Sequence, residues 1–468
     1  MAVTPAELIT KLDSADPNDI VRRFAANPAF RAANQEELTT EQDPYRRPVR
    51  PADLAWLDYS EPMPAERTLL LSWLLGNRML RNVYDADLLH LPPVAGPAAD
   101  RDGGEFYSME NRVLGALAGP ILEQHLFTYL QRDHEPLATP ELRPLKAHLR
   151  AYFEERSAAR DDAFAIALTR RDRREAATFV LVQLTAHLPA AYHAIGRNAL
   201  GEYALAHPTL RGSLIADYQG WSDRAPEYGR LLAEAGLGPG TAAYWQLSLG
   251  TSLARGNQLH RLSRTHEHFF RFLGAWVHKK IDDAVTAGRY AAVFEEGLGH
   301  RTGLFEGVAA YDDALVDDVL TPLVERFGTS VIEEFHAGFD EARRLAELWN
   351  RDLSEQLAWA DEIPAYMERA ERIQRHITDE NIQVDLDTFV ESCEETSTTH
   401  VHDEHRLVMI EVGQMHFWNN VTHQIKLEQG DKLLIPLGRL HGSVVLSGTC
   451  TYHQPIIPED MYQRFFRG

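Results

Sequence analysis

The sequence predicts a multidomain α + β chain: an N-terminal helical domain over residues 1–138, an all-α bundle over 139–372, and a C-terminal β-barrel over 373–468. Three observations carry this reading. The chain has 468 residues, more than a single hydrophobic core accommodates before it splits. Apolar residues recur every three or four positions through most of the first 377 residues, the helical period. From Asn381 onward the period becomes two, the mark of half-buried strands.

Composition narrows the class of function. Hydrophobic residues make up 44% and charged residues 25%, ordinary for a globular chain. Lys plus Arg number 47 against 69 Asp plus Glu, for a formal charge of -22. Such a chain repels phosphate backbones and anionic lipid, so neither nucleic acid nor a membrane is expected as a partner. The two cysteines, Cys393 and Cys450, exclude a disulfide framework and suit a reducing compartment. No signal-like leader or long apolar run is visible, and a cytoplasmic protein is expected.

Taken in order, residues 4–132 read as helical, with apolar spacing in 6–12 and 69–80. Asp43-Pro44-Tyr45-Arg46-Arg47-Pro48-Val49-Arg50-Pro51 breaks that pattern, since three prolines in nine residues cannot stay helical. It reads as a rigid connector rather than an anion site. A second loop spans 91–104. Long amphipathic helices then follow over 174–202, 209–218, 225–236, 241–260, 265–287, 312–327 and 330–349, and a bundle is the expected packing. Residues 353–377 read as an acidic connecting region with helical spacing. Five strands are expected at 382–386, 407–412, 415–418, 432–436 and 443–446, enough for a small barrel.

The candidate chemistry lies in that barrel. Thr399-His400-Val401-His402 places two imidazoles two residues apart on a strand, hence on one face, with Val401 on the other. Gly430-Asp431-Lys432-Leu433-Leu434-Ile435-Pro436-Leu437-Gly438-Arg439-Leu440-His441 runs turn, strand, turn, and delivers a third. Three imidazoles suit iron, zinc, copper or nickel and leave coordination positions open, as a catalytic rather than a structural site requires. The H-x-H and G-x5-P-x-G-x2-H spacings together resemble the two motifs of the cupin superfamily. Where many cupins carry a Glu four residues after the second His, this chain has Arg406, which cannot ligate a cation. Glu404 is in phase with His402 and is the alternative fourth ligand. His416, His423 and His453 read as pocket-lining or solvent histidines. Arg406 is a candidate to hold a substrate acid group, with pairing to Glu404 or Glu411 as the duller outcome, and Tyr452, Arg439, Trp418 and His453 are further pocket candidates.

Short matches in constant order, including Val83-Tyr84-Asp85-Ala86-Asp87-Leu88, Leu181-Val182-Gln183, Tyr244-Trp245-Gln246, Phe269-Phe270-Arg271, Ser354-Glu355-Gln356-Leu357-Ala358-Trp359 and Arg439-Leu440-His441-Gly442, run through nearly the whole chain. It resembles the three-domain, N-nitrosourea-forming metalloenzymes of streptozotocin biosynthesis. The resemblance implies an N-terminal domain that forms a homodimer, a central haem-oxygenase-like diiron domain that hydroxylates the guanidine of a methylated arginine, and a C-terminal iron cupin. The cupin would rearrange the hydroxylated product to an N-nitrosourea, with Fe(II) on His400, His402 and His441 and O2 as co-substrate. The diiron ligands do not carry over: their positions fall on Ala191, Asp217, Glu227, Lys280, Leu304, Val308 and Tyr311. A neutral alkyl group donates no lone pair and a lysine brings the wrong charge, so no diiron centre is expected. A shifted set drawn from His266, Glu267, His300 and His336 is the alternative.

The expected function is therefore that of a mononuclear nonhaem iron cupin oxygenase acting on a small amino-acid-derived substrate, an N-hydroxylated guanidine, made by a separate N-hydroxylase. Two other readings stay open. One is a non-catalytic pseudo-enzyme or scaffold for that hydroxylase; the other is a cupin dioxygenase on a different amino-acid-derived substrate.

Overall fold

The computed structural model describes residues 16–25, 57–88, 108–159, 163–201, 207–238, 247–308, 311–393, 396–418, 424–445 and 448–466. The helical pattern at 6–12, the Pro-rich segment 43–51, the loop 91–104, Tyr244-Trp245-Gln246 and His423 lie outside these. The described part is mostly helical, with antiparallel sheet at its C-terminal end.

Three helices build the first core: α1 (Pro17–Ala25), α2 (Leu71–Asp85) and α3 (Met109–Arg132). Val21, Phe24, Trp73, Leu80, Leu122 and Phe127 are packed there at full burial. The second and largest core is made by α4 (Leu142–Ala158), α5 (Ala163–Thr169), α6 (Arg173–Ala199), α7 (Pro208–Glu234), α8 (Gly250–Arg264), α9 (Phe269–Leu298), α10 (Ala314–Phe327) and α11 (Ser330–Asp361). The break expected between 218 and 225 is absent, and α7 runs through Pro226. Buried Leu210, Leu214, Tyr228, Leu231 and Leu232 hold both halves on the bundle, and tertiary packing outweighs the missing donor.

Helices α9 and α11 approach closely enough that their backbones touch. A Cβ at Gly274 would sit 1.9 Å from the Phe335 carbonyl oxygen, and one at Gly338 2.0 Å from that of Arg271. Neither neighbour is a flexible side chain that can swing away.

The region expected as a connector, 353–377, is instead the end of α11 and a further helix, α12 (Ile363–Asp379). Glu355, Asp361, Glu362, Glu368 and Arg375 are exposed there, while Gln356 and Trp359, with Asp352 just before them, are buried. Helix α11 thereby leaves the helical core and enters the third core, where Trp359, Ile363 and Ile373 meet the strands.

The C-terminal part has nine strands among the described residues: β1 (Thr388–Ser392), β2 (Thr396–His400), β3 (His405–Val412), β4 (Gln414–Trp418), β5 (Gln424–Glu428), β6 (Lys432–Ile435), β7 (His441–Val444), β8 (Thr449–His453) and β9 (Ile456–Ile457), closed by helix α13 (Glu459–Phe466). They form two antiparallel sheets, ordered β1-β8-β3-β6 with β9 on β3, and β2-β7-β4-β5. No described pairing joins the two edges into a closed barrel. The sheets instead share one core, in which Leu407, Val408 and Leu434 of the first meet Met415, Phe417 and Leu427 of the second. The strand expected at 382–386 does not form. Asp387 takes a φ of 46°, and pairing starts after it, Thr388 opposite His453.

Two outcomes follow from this packing. Gly338→Ala should cost about 3 kcal/mol by urea denaturation, the upper range for overpacking against an unyielding neighbour. The second concerns acid. Burial holds His278 down at about 3, and its Nε2 meets the Tyr152 hydroxyl at 3.0 Å. The unfolded chain takes up a proton near pH ~6.5 that the native state refuses, so stability falls as pH drops below that value. Thermal melts from pH 7 to 4 should show this loss, and His278→Gln should flatten part of it.

Candidate metal centre

His400 is the last residue of β2 and His441 the first of β7, and the two strands place them opposite one another. His402 lies two residues beyond the end of β2, so the regular strand expected to carry both ligands stops at the first. Their relation survives because Val401 faces the other way, buried to 4% exposure among the helices. The rings of His400 and His402 are 4.8 Å apart, those of His400 and His441 4.5 Å, and those of His402 and His441 5.0 Å. One nitrogen from each converges to within 4.8 Å of the others. Among the described residues no other group of three His, Cys, Asp or Glu does so.

The state of these rings fits a metal. His441 Nδ1 lies 2.8 Å from the Arg439 carbonyl oxygen, which can only accept, so Nδ1 carries the proton and Nε2 the lone pair. That Nε2 and the Nε2 of His402 are buried with no hydrogen-bond partner. An orphaned buried acceptor is costly unless something occupies it. Burial, then the neighbouring imidazoles, pushes His402 well below its ordinary range. Burial, then His400, does the same to His441. Both are neutral at physiological pH and hold a lone pair without first losing a proton. Phe417 stacks on His441 with ring centres 5.2 Å apart and planes 8° from parallel, and Trp359 presents an edge at 6.3 Å. These two rings wall His441, which is buried, while His400 and His402 are half-buried.

The other sequence candidates sit elsewhere. Arg406 donates to Asp387 at 2.9 Å and to the Gln454 carbonyl at 3.0 Å, and reaches Glu404 at 3.4 Å. Its guanidinium is spent on protein groups. Exposed Glu404 is its partner there and is not among the converging ligands. The Tyr452 hydroxyl donates to Glu391 at 2.7 Å. His453 meets Thr388 and Glu411, and His405 stacks on Tyr462 and reaches Glu459 at 2.7 Å. Arg439 faces the helices, donating to the Asp352 carbonyl and to Glu355.

In the helical body, Asp217 receives Lys280 Nζ at 2.8 Å on one oxygen and the Trp276 indole N–H at 2.7 Å on the other. Glu227 is taken by His300 at 2.9 Å, the Gly303 amide at 3.1 Å and Arg230. Ala191 lines a small cavity with His187, Arg255, His278, Lys279 and Asp283, where Lys279 pairs with Asp283 and Arg255 with Asp282. Leu304 is buried as apolar core. The alternative set is spread out: His266 and Glu267 are exposed on a short 3-10 turn, and His336 packs between His134 and His148.

Sequence reading missed the residues that support the ligands. Gln356 and Arg78 bond the backbone beside the histidines, at Leu440 and Thr399, and Asp352 holds the Arg439 side chain; of the three, only Gln356 lies in a matched segment.

His441→Ala should abolish binding of a divalent transition metal at this site while leaving the helical far-UV signal intact. Arg406→Ala should leave metal binding within a factor of about two, because its contacts are exposed or half-exposed ion pairs worth only ~0–1 kcal/mol. Isothermal titration with Co(II) measures both.

No protein-family model matches the sequence. Over 461 residues the chain is 29% identical to the nitrosourea synthase of Streptomyces achromogenes subsp. streptozoticus, a match covering 97% of this chain and 98% of that protein. From end to end, the chain is similar to a nitrosourea synthase of the kind its motifs pointed to.

Proposed function

We propose that this chain is a nonhaem iron oxygenase in a nitrosourea-forming reaction, working through its C-terminal cupin-type site. Its substrate would be an N-hydroxylated guanidine of the methylarginine class, which it converts with O2 to an N-nitroso product. The observation that carries the proposal is the convergence of three imidazoles, two with orphaned buried nitrogens, at the end of a chain similar throughout to nitrosourea synthase.

His400, His402 and His441 would hold the iron. Bound ferrous iron supplies a one-electron redox couple and open positions for small ligands. The chain's own groups do the rest. The Arg439 carbonyl fixes the His441 tautomer, and Phe417 and Trp359 wall the site. Since the groups nearest the expected diiron positions are paired among themselves, Lys280 with Asp217 and His300 with Glu227, N-hydroxylation falls to a separate protein. Homodimerisation through residues 1–138 belongs to the same reading.

The test is a mass assay. Protein loaded anaerobically with Fe(II) is given N-hydroxylated methylarginine and then air. A nitrosourea product, absent with His441→Ala, is expected, and methylarginine without the hydroxyl should give none. Product from the unhydroxylated compound would mean the helical body is an active hydroxylase. Absence of both iron and product would favour a scaffold, and iron uptake without product a different amino-acid-derived substrate.

A further inference from the structure

The segments 354–359 and 439–442, both singled out in the sequence, meet in the structure. Asp352, Glu355, Gln356 and Trp359 fall at i, i+3, i+4 and i+7 of α11 and so share one face. That face receives three consecutive residues of the chain entering β7. Arg439 donates to the Asp352 carbonyl at 3.1 Å and to Glu355 at 2.8 Å. The Leu440 N–H donates to Gln356 Oε1 at 2.9 Å, and Gln356 Nε2 donates to the Leu440 carbonyl at 2.9 Å. Trp359 then meets the ring of His441.

Leu440 stands one residue before β7 begins. Gln356, at 1% exposure, offers it one donor and one acceptor, as a neighbouring strand would. The backbone entering His441 is thereby registered on a helix rather than on the sheet. The carbonyl that orients His441 Nδ1 belongs to Arg439, within the same clamped segment.

We propose that Gln356 is a positioning residue for the metal centre, acting through Leu440 and His441, so that the helical body serves as an outer support of the C-terminal site. This rests on the reading of His400, His402 and His441 as metal ligands, and on nothing about the substrate. Groups that orient ligands from outside the coordination sphere change metal affinity by about 10–100-fold when removed. The geometry also gives the helical body a use that does not require a metal of its own.

Full-length wild-type protein, Gln356→Met, Gln356→Glu and Gln183→Met are titrated with Co(II), reading affinity and the visible d–d spectrum, with far-UV dichroism and melting temperature as folding controls. Gln183 is the internal control. It is equally buried and makes the same kind of clamp, accepting from the Leu249 amide at 2.8 Å and donating to the Leu247 carbonyl at 3.1 Å, but within the helical core. Gln356→Met should weaken Co(II) about tenfold or more and shift the spectrum. Gln356→Glu keeps the acceptor and loses the donor, and should fall between; should the Met variant not fold, it carries the test. Gln183→Met should melt earlier yet bind Co(II) like wild type. Wild-type affinity and spectrum in a folded Gln356 variant overturn the inference, as does a loss that Gln183→Met shares. Failure of the wild type itself to bind Co(II) would instead overturn the assignment of the three histidines.

Discussion

The candidate metal centre depends on two apolar side chains that leave the sheet. Val401, between two of the histidines, and Leu440, beside the third, are both buried in the helical core, at 4% and 1% exposure. Burying each contributes about 1.5–3 kcal/mol. Neighbouring residues of extended chain face opposite ways, so seating Val401 and Leu440 in the helices turns His400, His402 and His441 the other way. The polar groups beside them are paired: Arg78 of α2 donates to the Thr399 carbonyl at 2.7 Å, and the Asp403 carboxylate accepts from the Leu71 amide at 2.9 Å. A packing contact between helices and sheets is what brings the three imidazoles together.

The helical body shows the opposite economy of charge. A site for two cations must collect anions and neutral donors, whereas here Lys280, Lys279 and Arg255 each neutralise a carboxylate from within. The paired groups are buried or half-buried, and each cation occupies a carboxylate oxygen that a metal would otherwise use. What those helices retain is rigidity. Backbones in contact at Gly274 and Gly338, and the buried Arg261–Glu341 pair at 2.6 Å, hold α11 in place, and α11 carries the face on which residues 439–441 rest.

Much of this was legible in the sequence, unevenly. The three converging histidines were, because imidazoles two residues apart and a glycine-bounded approach to a third are local patterns. The change from helical to strand period at Asn381 marked where the helices end, although the first strand begins only at Thr388. What local pattern could not give was the role of 352–359. Asp352, Glu355 and Gln356 look like a solvated acidic stretch in one dimension, yet residues 439–441, arriving from far along the chain, meet all three, with Asp352 and Gln356 buried and Glu355 still exposed. Arg406 illustrates the converse. Its departure from the common cupin pattern drew attention, yet its partners are Asp387, Gln454 and Glu404. Five of the nine strands, β1, β2, β5, β8 and β9, were not among the five expected, one of which does not form; all are of five residues or fewer, and β1 and β2 are largely polar.

The central claim is that this chain grips a transition metal at its C-terminal sheets and not within its helices. Anomalous diffraction at the iron edge, from crystals soaked anaerobically with Fe(II), tests it directly. The account predicts a single peak enclosed by His400, His402 and His441. A peak among Ala191, Asp217, Glu227 and Lys280, with none between the three imidazoles, would contradict it.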